Sequence, residues 1–235
     1  LPCANDFIIF GKRYQRPEGN PGENIAYVKS DFDDSEWRHL NLPHDWAIEG
    51  PFNIDYNGST GKLPYWGIRW YRKTLELSQD DAGKQIYLDI DGAMSYVSVW
   101  CNGQYVGGWP YGYASFRLDL TPYIKAGQKN VLAIRLDNPD DTSRWYPGSG
   151  IYRNVWLVKT SPVHVEQWGT FVRNQQVDSE IAVMEMGVNI ENHAGKDVQV
   201  KLQTSVYLQG KDGRPVGEEV TQSMTKDIAI KKDSW

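Results

Sequence analysis

The sequence is poor in the groups that carry covalent or metal chemistry. Its 235 residues include two cysteines, Cys3 and Cys101. They stand too far apart for a disulfide framework, a zinc ribbon or a redox CxxC pair. The four histidines, His39, His44, His164 and His193, form no helical pair and do not combine with cysteine at zinc spacing, so neither a metal nor a cofactor is expected. There is no GxSxG elbow and no P-loop; the glycines from Gly103 to Gly112 follow a hairpin and open no helix, so phosphate has no cradle. Positive charge is not in excess, with 25 basic against 30 acidic residues for a net charge of -5. That balance excludes the concentrated basic field on which nucleic-acid binding depends. No stretch reaches the roughly 18 apolar residues of a membrane span. Residues 1–10 lack the charged start and long apolar run of a signal peptide, as a trimmed chain also would.

Helical signals are also few. Thr121-Pro122-Tyr123-Ile124-Lys125-Ala126-Gly127 has a cap residue, Pro at the first helical position and Gly at the exit, which predicts one short turn. Asp31 to Trp37 can hold another. Neither suits a crossover helix, which argues against a parallel α/β sheet. Acidic pairs such as Asp80-Asp81, Asp140-Asp141 and Glu218-Glu219 sit in turn-like polar contexts and read as solvated loop charges. Glycoside hydrolysis needs two carboxyl groups held roughly 5 to 10 Å apart on rigid supports. Composition and spacing supply no such pair, and alone they favour a binding or structural β-sandwich.

What the chain does have is aromatic residues and strand patterning. Ten Trp, fourteen Tyr and six Phe are present, and nine of the Trp fall between Trp37 and Trp168. Flat apolar bodies with polar tips suit both sandwich cores and sugar faces, and core packing is expected for most of them, Trp100 and Trp156 included. Ile86, Leu88 and Ile90 alternate with Tyr87 and Asp89; Leu132, Ile134 and Leu136 alternate with Ala133 and Arg135. This is the period of half-buried strands. Val97–Cys101, then Asn102-Gly103, then Gln104–Val106 reads as a hairpin on a type I′ turn, with Cys101 a packed thiol.

Around Ser161-Pro162 the Trp-, Gly- and Pro-rich composition gives way to a plainer strand pattern, in which Val198, Val200, Leu202, Val206 and Leu208 share one parity. A boundary near 160 is expected, with domains at 1–160 and 161–235. The second, at 75 residues, is shorter than the roughly 100 of an immunoglobulin-like sandwich, so it is expected to be incomplete and the natural chain to continue beyond Trp235.

Five ordered motifs then carry a resemblance. They are Leu42-Pro43-His44-Asp45-Trp46; Gly67-Ile68-Arg69-Trp70-Tyr71-Arg72-Lys73; Asp91-Gly92-Ala93 leading to Val99–Gly103 and Val106-Gly107; Gly112–Phe116 with Asp119-Leu120-Thr121; and Arg144–Arg153. Together they resemble the N-terminal portion of family 2 glycoside hydrolases, in detail the β-galactosidase type. The resemblance implies an all-β chain: a jelly-roll sugar-binding domain followed by an immunoglobulin-like sandwich. It also implies that both catalytic glutamates belong to a (β/α)8 barrel of the same protein, outside this chain, so that this chain alone is inactive. The implied partners are that barrel and a β-galactoside-like carbohydrate, and a periplasmic or secreted parent enzyme.

Within the family the first domain supplies a wall of the substrate pocket. The matching positions are Arg144, Trp145 and Tyr146, and the loop from Asn53 to Trp66 with Tyr65 and Trp66. Arg144 stands where some members place a hydroxyl-binding acid, which speaks against that role here. Tyr65 and Trp66 stand where glycines are more usual and would narrow or floor the pocket. His44, Asp45 and Trp46 with Arg69, Tyr71 and Arg153 read as structural: a packed turn, and arginines, Arg72 with Arg69 and Arg153, paired with carboxylates such as Asp45 or Asp91. Two other readings stay open. One is an independent carbohydrate-binding module using Trp66, Trp109, Tyr111 and Trp145; the other is a purely structural interaction domain.

Overall fold

A computed structural model describes residues 18–56, 61–139, 148–225 and 227–232. The all-β expectation holds. Two compact units follow one another, Leu1–Lys159 and Thr160–Trp235.

The first unit pairs two antiparallel sheets. Strands β1 (Gly67–Glu76), β3 (Val97–Cys101), β4 (Gln104–Trp109) and β6 (Lys129–Asn138) form one sheet in the order β1-β6-β3-β4. Strands β2 (Gln85–Ile90), β5 (Phe116–Asp119) and β7 (Val155–Thr160) form the other in the order β5-β2-β7. The period-two residues meet between them: Val97, Val99, Cys101, Leu132, Ile134 and Leu136 from the first sheet against Ile86, Leu88, Ile90 and Phe116 from the second. Central β6 is buried on both faces, as its near-continuous apolar run requires. The hairpin forms as predicted, with Asn102 and Gly103 both at positive φ. Asn102 does more than turn the chain. Its amide donates to Tyr123 O (2.8 Å) and Asn130 Oδ1 (2.8 Å), and its oxygen accepts from Val131 N (3.0 Å).

Most tryptophans are not between the sheets. Among the described residues, Trp46 belongs to the inter-sheet core, whereas Trp100 lies fully buried on the opposite face of its sheet with Tyr105, Ala133 and Val28. The segment before β1 covers that face. Trp100 Nε1 donates to Pro21 O (2.8 Å), and Asn20 reaches both Gly103 O (3.1 Å) and Tyr105 N (2.7 Å). Edge-to-face contacts extend the cluster through Trp70, Tyr27, Phe32 and Trp37. Trp156, expected in the core, is 54% exposed. It lies on edge strand β7, and its indole N–H donates to Asp91 Oδ2 (3.0 Å).

Two local expectations change. The Thr121 hydroxyl does not cap a turn; it accepts from Ile86 N (2.9 Å), while Tyr123 N and Ile124 N both bond to Leu120 O. Asp81 is a buried cap and not a solvated charge. It accepts from Ser78 N (3.2 Å), Lys84 (3.0 Å) and Lys159 (2.5 Å), and these partners hold its carboxyl down to about 2. Asp140 and Asp141 lie outside the described residues; on a strand of the second unit Glu218 is exposed and Glu219 is half-buried.

The second unit is built from immunoglobulin-like antiparallel pairs. Strand β8 (Val163–Val177) pairs β9 (Ala182–Asn192), β10 (Val198–Val200) pairs β13 (Ile228–Ile230), and β11 (Gln203–Gln209) pairs β12 (Pro215–Met224). The buried amide of Asn192 links the first two pairs, donating to Lys196 O, Ile230 O and Lys231 O. The shared parity ends at Val206, where register shifts on either side of Tyr207 leave Leu208 exposed. Apolar side chains such as Phe171, Val172 and Val177 also remain exposed.

Two measurements check the packing. Leu136 has no exposed surface, so Leu136→Ala should cost about 2–5 kcal/mol in urea unfolding. Burial pushes the Cys101 thiol up to about 12, so iodoacetamide should label Cys101 only after denaturant is added.

Candidate functional site

Strand register gathers four connections at one end of the first unit. Gly67 faces Asn138, Val97 faces Trp109, Ser98 faces Arg135, and Ile90 faces Phe116. The segment entering β1, the β2–β3 connection (91–96), the β4–β5 connection (110–115) and the β6–β7 connection (139–154) therefore emerge together. Asp91 N bonds to Asn154 O (3.0 Å), and Met94 exchanges backbone hydrogen bonds with Gly150 (2.9 and 3.1 Å).

Residues 42–49 clip onto this end. His44 N donates to Ile151 O (2.8 Å) and Trp46 N to Ser149 O (3.0 Å). Asp45, 7% exposed, accepts on one oxygen from Ala47 N (2.8 Å) and Ser149 N (2.9 Å). His44 Nδ1 meets the Tyr71 hydroxyl (2.8 Å) and Nε2 meets Glu49 (3.2 Å). A carboxylate only accepts, so Nε2 donates to Glu49, and in the tautomer this selects Nδ1 accepts from Tyr71. Desolvation holds the Tyr71 hydroxyl up at about 12, which keeps it a donor. Arg38 forks onto Glu49 (2.6 and 2.7 Å) and holds its carboxyl down to about 2. Gly150 sits so close to this clip, at φ +116°, that a Cβ would lie 2.5 Å from His44 O and 2.8 Å from the Tyr71 oxygen. A cavity of about 420 Å³ opens beside it, lined by Arg38, His44, Trp46, Glu49, Arg69 and Tyr71. A second opening, of about 430 Å³, runs between β1 and β7 over Leu88, Leu132, Ile134 and Leu157. Its lining is largely inter-sheet core, so the chemistry lies with the first.

Among the described residues, the arginine–carboxylate contact on β1 joins a different pair, Arg72 and Asp34. Asp45 is satisfied by backbone amides and Asp91 bonds to Trp156. Arg69 lies over the Trp46 ring (5.4 Å), Arg72 reaches Asp34 (2.7 Å) and three backbone carbonyls, and Arg153 is exposed. Spacing cannot assign such partners, because Asp34 approaches β1 only when its loop folds back.

Tyr65 and Trp66 do reach the loop end, with different roles. Tyr65 is buried; Trp66 is partly exposed and stands edge-on to Tyr56 (4.8 Å) and Tyr65 (5.5 Å). Trp109, at the end of β4, and Tyr111 and Tyr113, on the β4–β5 connection, are exposed. Tyr152 anchors that loop by donating to Gly112 O (2.8 Å). Arg144, Trp145 and Tyr146 lie outside the described residues. Sequence reading missed Asn138, Ser149 and Ser95, which form a buried polar network here. Asn138 Nδ2 donates to Tyr65 O (2.9 Å) and Ser149 Oγ (2.7 Å), its Oδ1 accepts from Ser95 Oγ (3.1 Å), and Ser149 Oγ donates to Tyr65 O. A buried Asn closing an otherwise apolar strand is the signal that could have found it.

Metal chemistry gains no support: among the described residues, no group of three or more potential ligands is arranged to hold an ion. His164 and His193 do approach each other in the second unit, both against Glu191 (3.4 and 2.9 Å).

Comparison with known proteins agrees with this geometry. The model of "Glycosyl hydrolases family 2, sugar binding domain" matches residues 26–161. A β-galactosidase of Bacteroides ovatus, BoGH2A, is 45% identical over 200 residues, covering 84% of this chain and 23% of its own length. A β-galactosidase of Thermoanaerobacter pseudethanolicus is 32% identical over 225 residues, covering 90% and 28%. The crystal structure of a β-glycosidase from Bacteroides vulgatus superposes with a TM-score of 0.73 at 34% identity, covering 93% of this chain and 28% of that one. The chain spans about a quarter of the length of these relatives.

The Glu49 clip supplies a pH prediction. Its carboxyl is depressed from 4.5 to about 2, so the stabilisation it adds is complete above pH 4.5 and is lost as pH falls toward 2. Glu49→Gln should flatten that part of the acid-unfolding curve, followed by tryptophan fluorescence, and leave stability near pH 7 lower than in the parent.

Proposed function

The chain belongs to the glycosyl hydrolases of family 2, and on that premise we propose that it is the non-catalytic N-terminal part of a β-galactosidase-like hydrolase. Its loop end forms one wall of the substrate pocket of a catalytic barrel carried elsewhere in the parent protein, which cleaves O-glycosidic bonds of β-galactoside-like sugars. The observation that carries this reading is the convergence of four connections at one end of a rigid sandwich. Binding loops are commonly held in that way by a fixed scaffold. Trp66 supplies an aromatic face at that end, and the family resemblance adds Arg144, Trp145 and Tyr146 to the wall. Among the described residues, three carboxylates at this end serve the scaffold, which supports a non-catalytic role. Asp45 takes backbone amides, Asp91 takes the Trp156 indole, and Asp137 takes Arg135 (2.8 Å).

Assay of the purified chain on nitrophenyl β-galactoside and β-glucuronide should give no turnover above the uncatalysed rate. Robust hydrolysis by this chain alone would overturn the reading. Exposed Trp109 and Tyr111 favour a second reading, a stand-alone carbohydrate-binding module. Calorimetric titration with galactosides separates the two: micromolar affinity supports the module, whereas binding no tighter than millimolar leaves the pocket-wall role, since a wall alone encloses little ligand surface.

A further inference from the structure

We infer that Asn138 is the positioning residue of the pocket wall, a single buried side-chain amide that sets the spacing of three of the four connections at the loop end. The inference rests on the reading of that end as a pocket wall. Asn138 is the last residue of β6, 3% exposed, and its cross-strand partner is Gly67, where the segment carrying Trp66 enters β1. From this point its side chain reaches Tyr65 O (2.9 Å) before β1, Ser149 Oγ (2.7 Å) after β6, and Ser95 Oγ (3.1 Å) between β2 and β3. Gly148 O lies 3.4 Å from the same nitrogen.

The donor count explains why an amide is needed. A carbonyl only accepts, so the face toward Tyr65 O must be the nitrogen. The Ser149 hydroxyl spends its proton on Tyr65 O, which leaves it lone pairs for the second Asn138 N–H. Ser95 gives its proton to Asn138 Oδ1 and to Asp137 O (3.3 Å). Two donors and one acceptor in one plane match a carboxamide and no other side chain of that size. Holding the Tyr65 carbonyl fixes the next residue, Trp66, whose indole is already wedged against Tyr56 and Tyr65. Ser149 in turn donates its backbone N–H to Asp45, so the same amide is coupled to the 42–49 clip.

Replacing the amide with a carboxylate keeps the shape and reverses the two donors. In Asn138→Asp an oxygen would face Tyr65 O and Ser149 Oγ. The serine can turn its proton to only one of them, which leaves the other without a donor in a buried site. Ser149→Ala removes the bridging hydroxyl without adding charge, and it keeps the test valid where a buried carboxylate prevents folding.

Hydrogen–deuterium exchange on the chain and both variants tests the inference. Exchange of peptides over 61–67 and 148–152 should accelerate about ten-fold or more, with β3 and β4 peptides unchanged, because opening is local. Unchanged exchange in those two peptides overturns the inference. A uniform rise across β3 and β4 also overturns it, since an ordinary core residue behaves that way. In the full-length enzyme, Asn138→Asp should raise KM for a nitrophenyl glycoside while leaving kcat within about two-fold, the pattern of lost ground-state positioning. Accelerated exchange with an unchanged KM would leave Asn138 as the positioning residue of these loops and instead defeat the pocket-wall reading.

Discussion

The hydrogen bond from Ser149 N to the Asp45 carboxylate joins residues 104 positions apart, and the loop end depends on it. A charged group taken out of water must be compensated, or its burial is unaffordable. Asp45 meets this need with two backbone N–H groups, from Ala47 and Ser149, on one oxygen. The first closes the local turn and the second pins that turn to the strand-like run through Gly150 and Ile151. Ser149 then passes its own polar groups to Tyr65 and Asn138. Each buried polar group is satisfied by the next, and such chains define a unique geometry because a partly satisfied one is costly.

A similar device holds the opposite end. Asn130, with no exposed surface, takes Lys125 N and the Asn102 amide on its oxygen and gives its protons to Lys125 O and Gln128 O. Buried asparagines at both ends of β6 thus tie down the connections of a sandwich whose interior is largely aliphatic. A second set of aromatic residues, Trp70, Trp100 and Tyr105, does a separate job. They cover the outer face of the four-stranded sheet with the segment around Pro21 to Val28, which places them beside the core and not inside it.

Fold and site were unequally legible. The strands 86–90, 97–101 and 132–136 follow from apolar alternation, because period two is a local property of side chains on a pleated chain. The hairpin at Asn102-Gly103 follows from the positive φ that its turn requires. Trp156 was misplaced because alternation records which face a side chain takes and not whether anything covers that face. Asp81 was misread because its neighbours are polar in sequence, whereas Lys159 arrives from β7. Arg72 was assigned the wrong carboxylate because Asp34 reaches it only when the preceding loop folds over β1.

The sequence by itself determined the class of the molecule: antiparallel strands, no long helix and a change of composition near Ser161, with ordered motifs resembling one family. These depend on local stereochemistry and residue order, which survive without a third dimension. Only the tertiary structure decided that Tyr65 is buried support while Trp66 presents surface, and that Ser95, Asn138 and Ser149 form one network. Hydrogen bonds across 11 to 84 positions have no local signature, and they exist only once strand register brings the four connections to the same end.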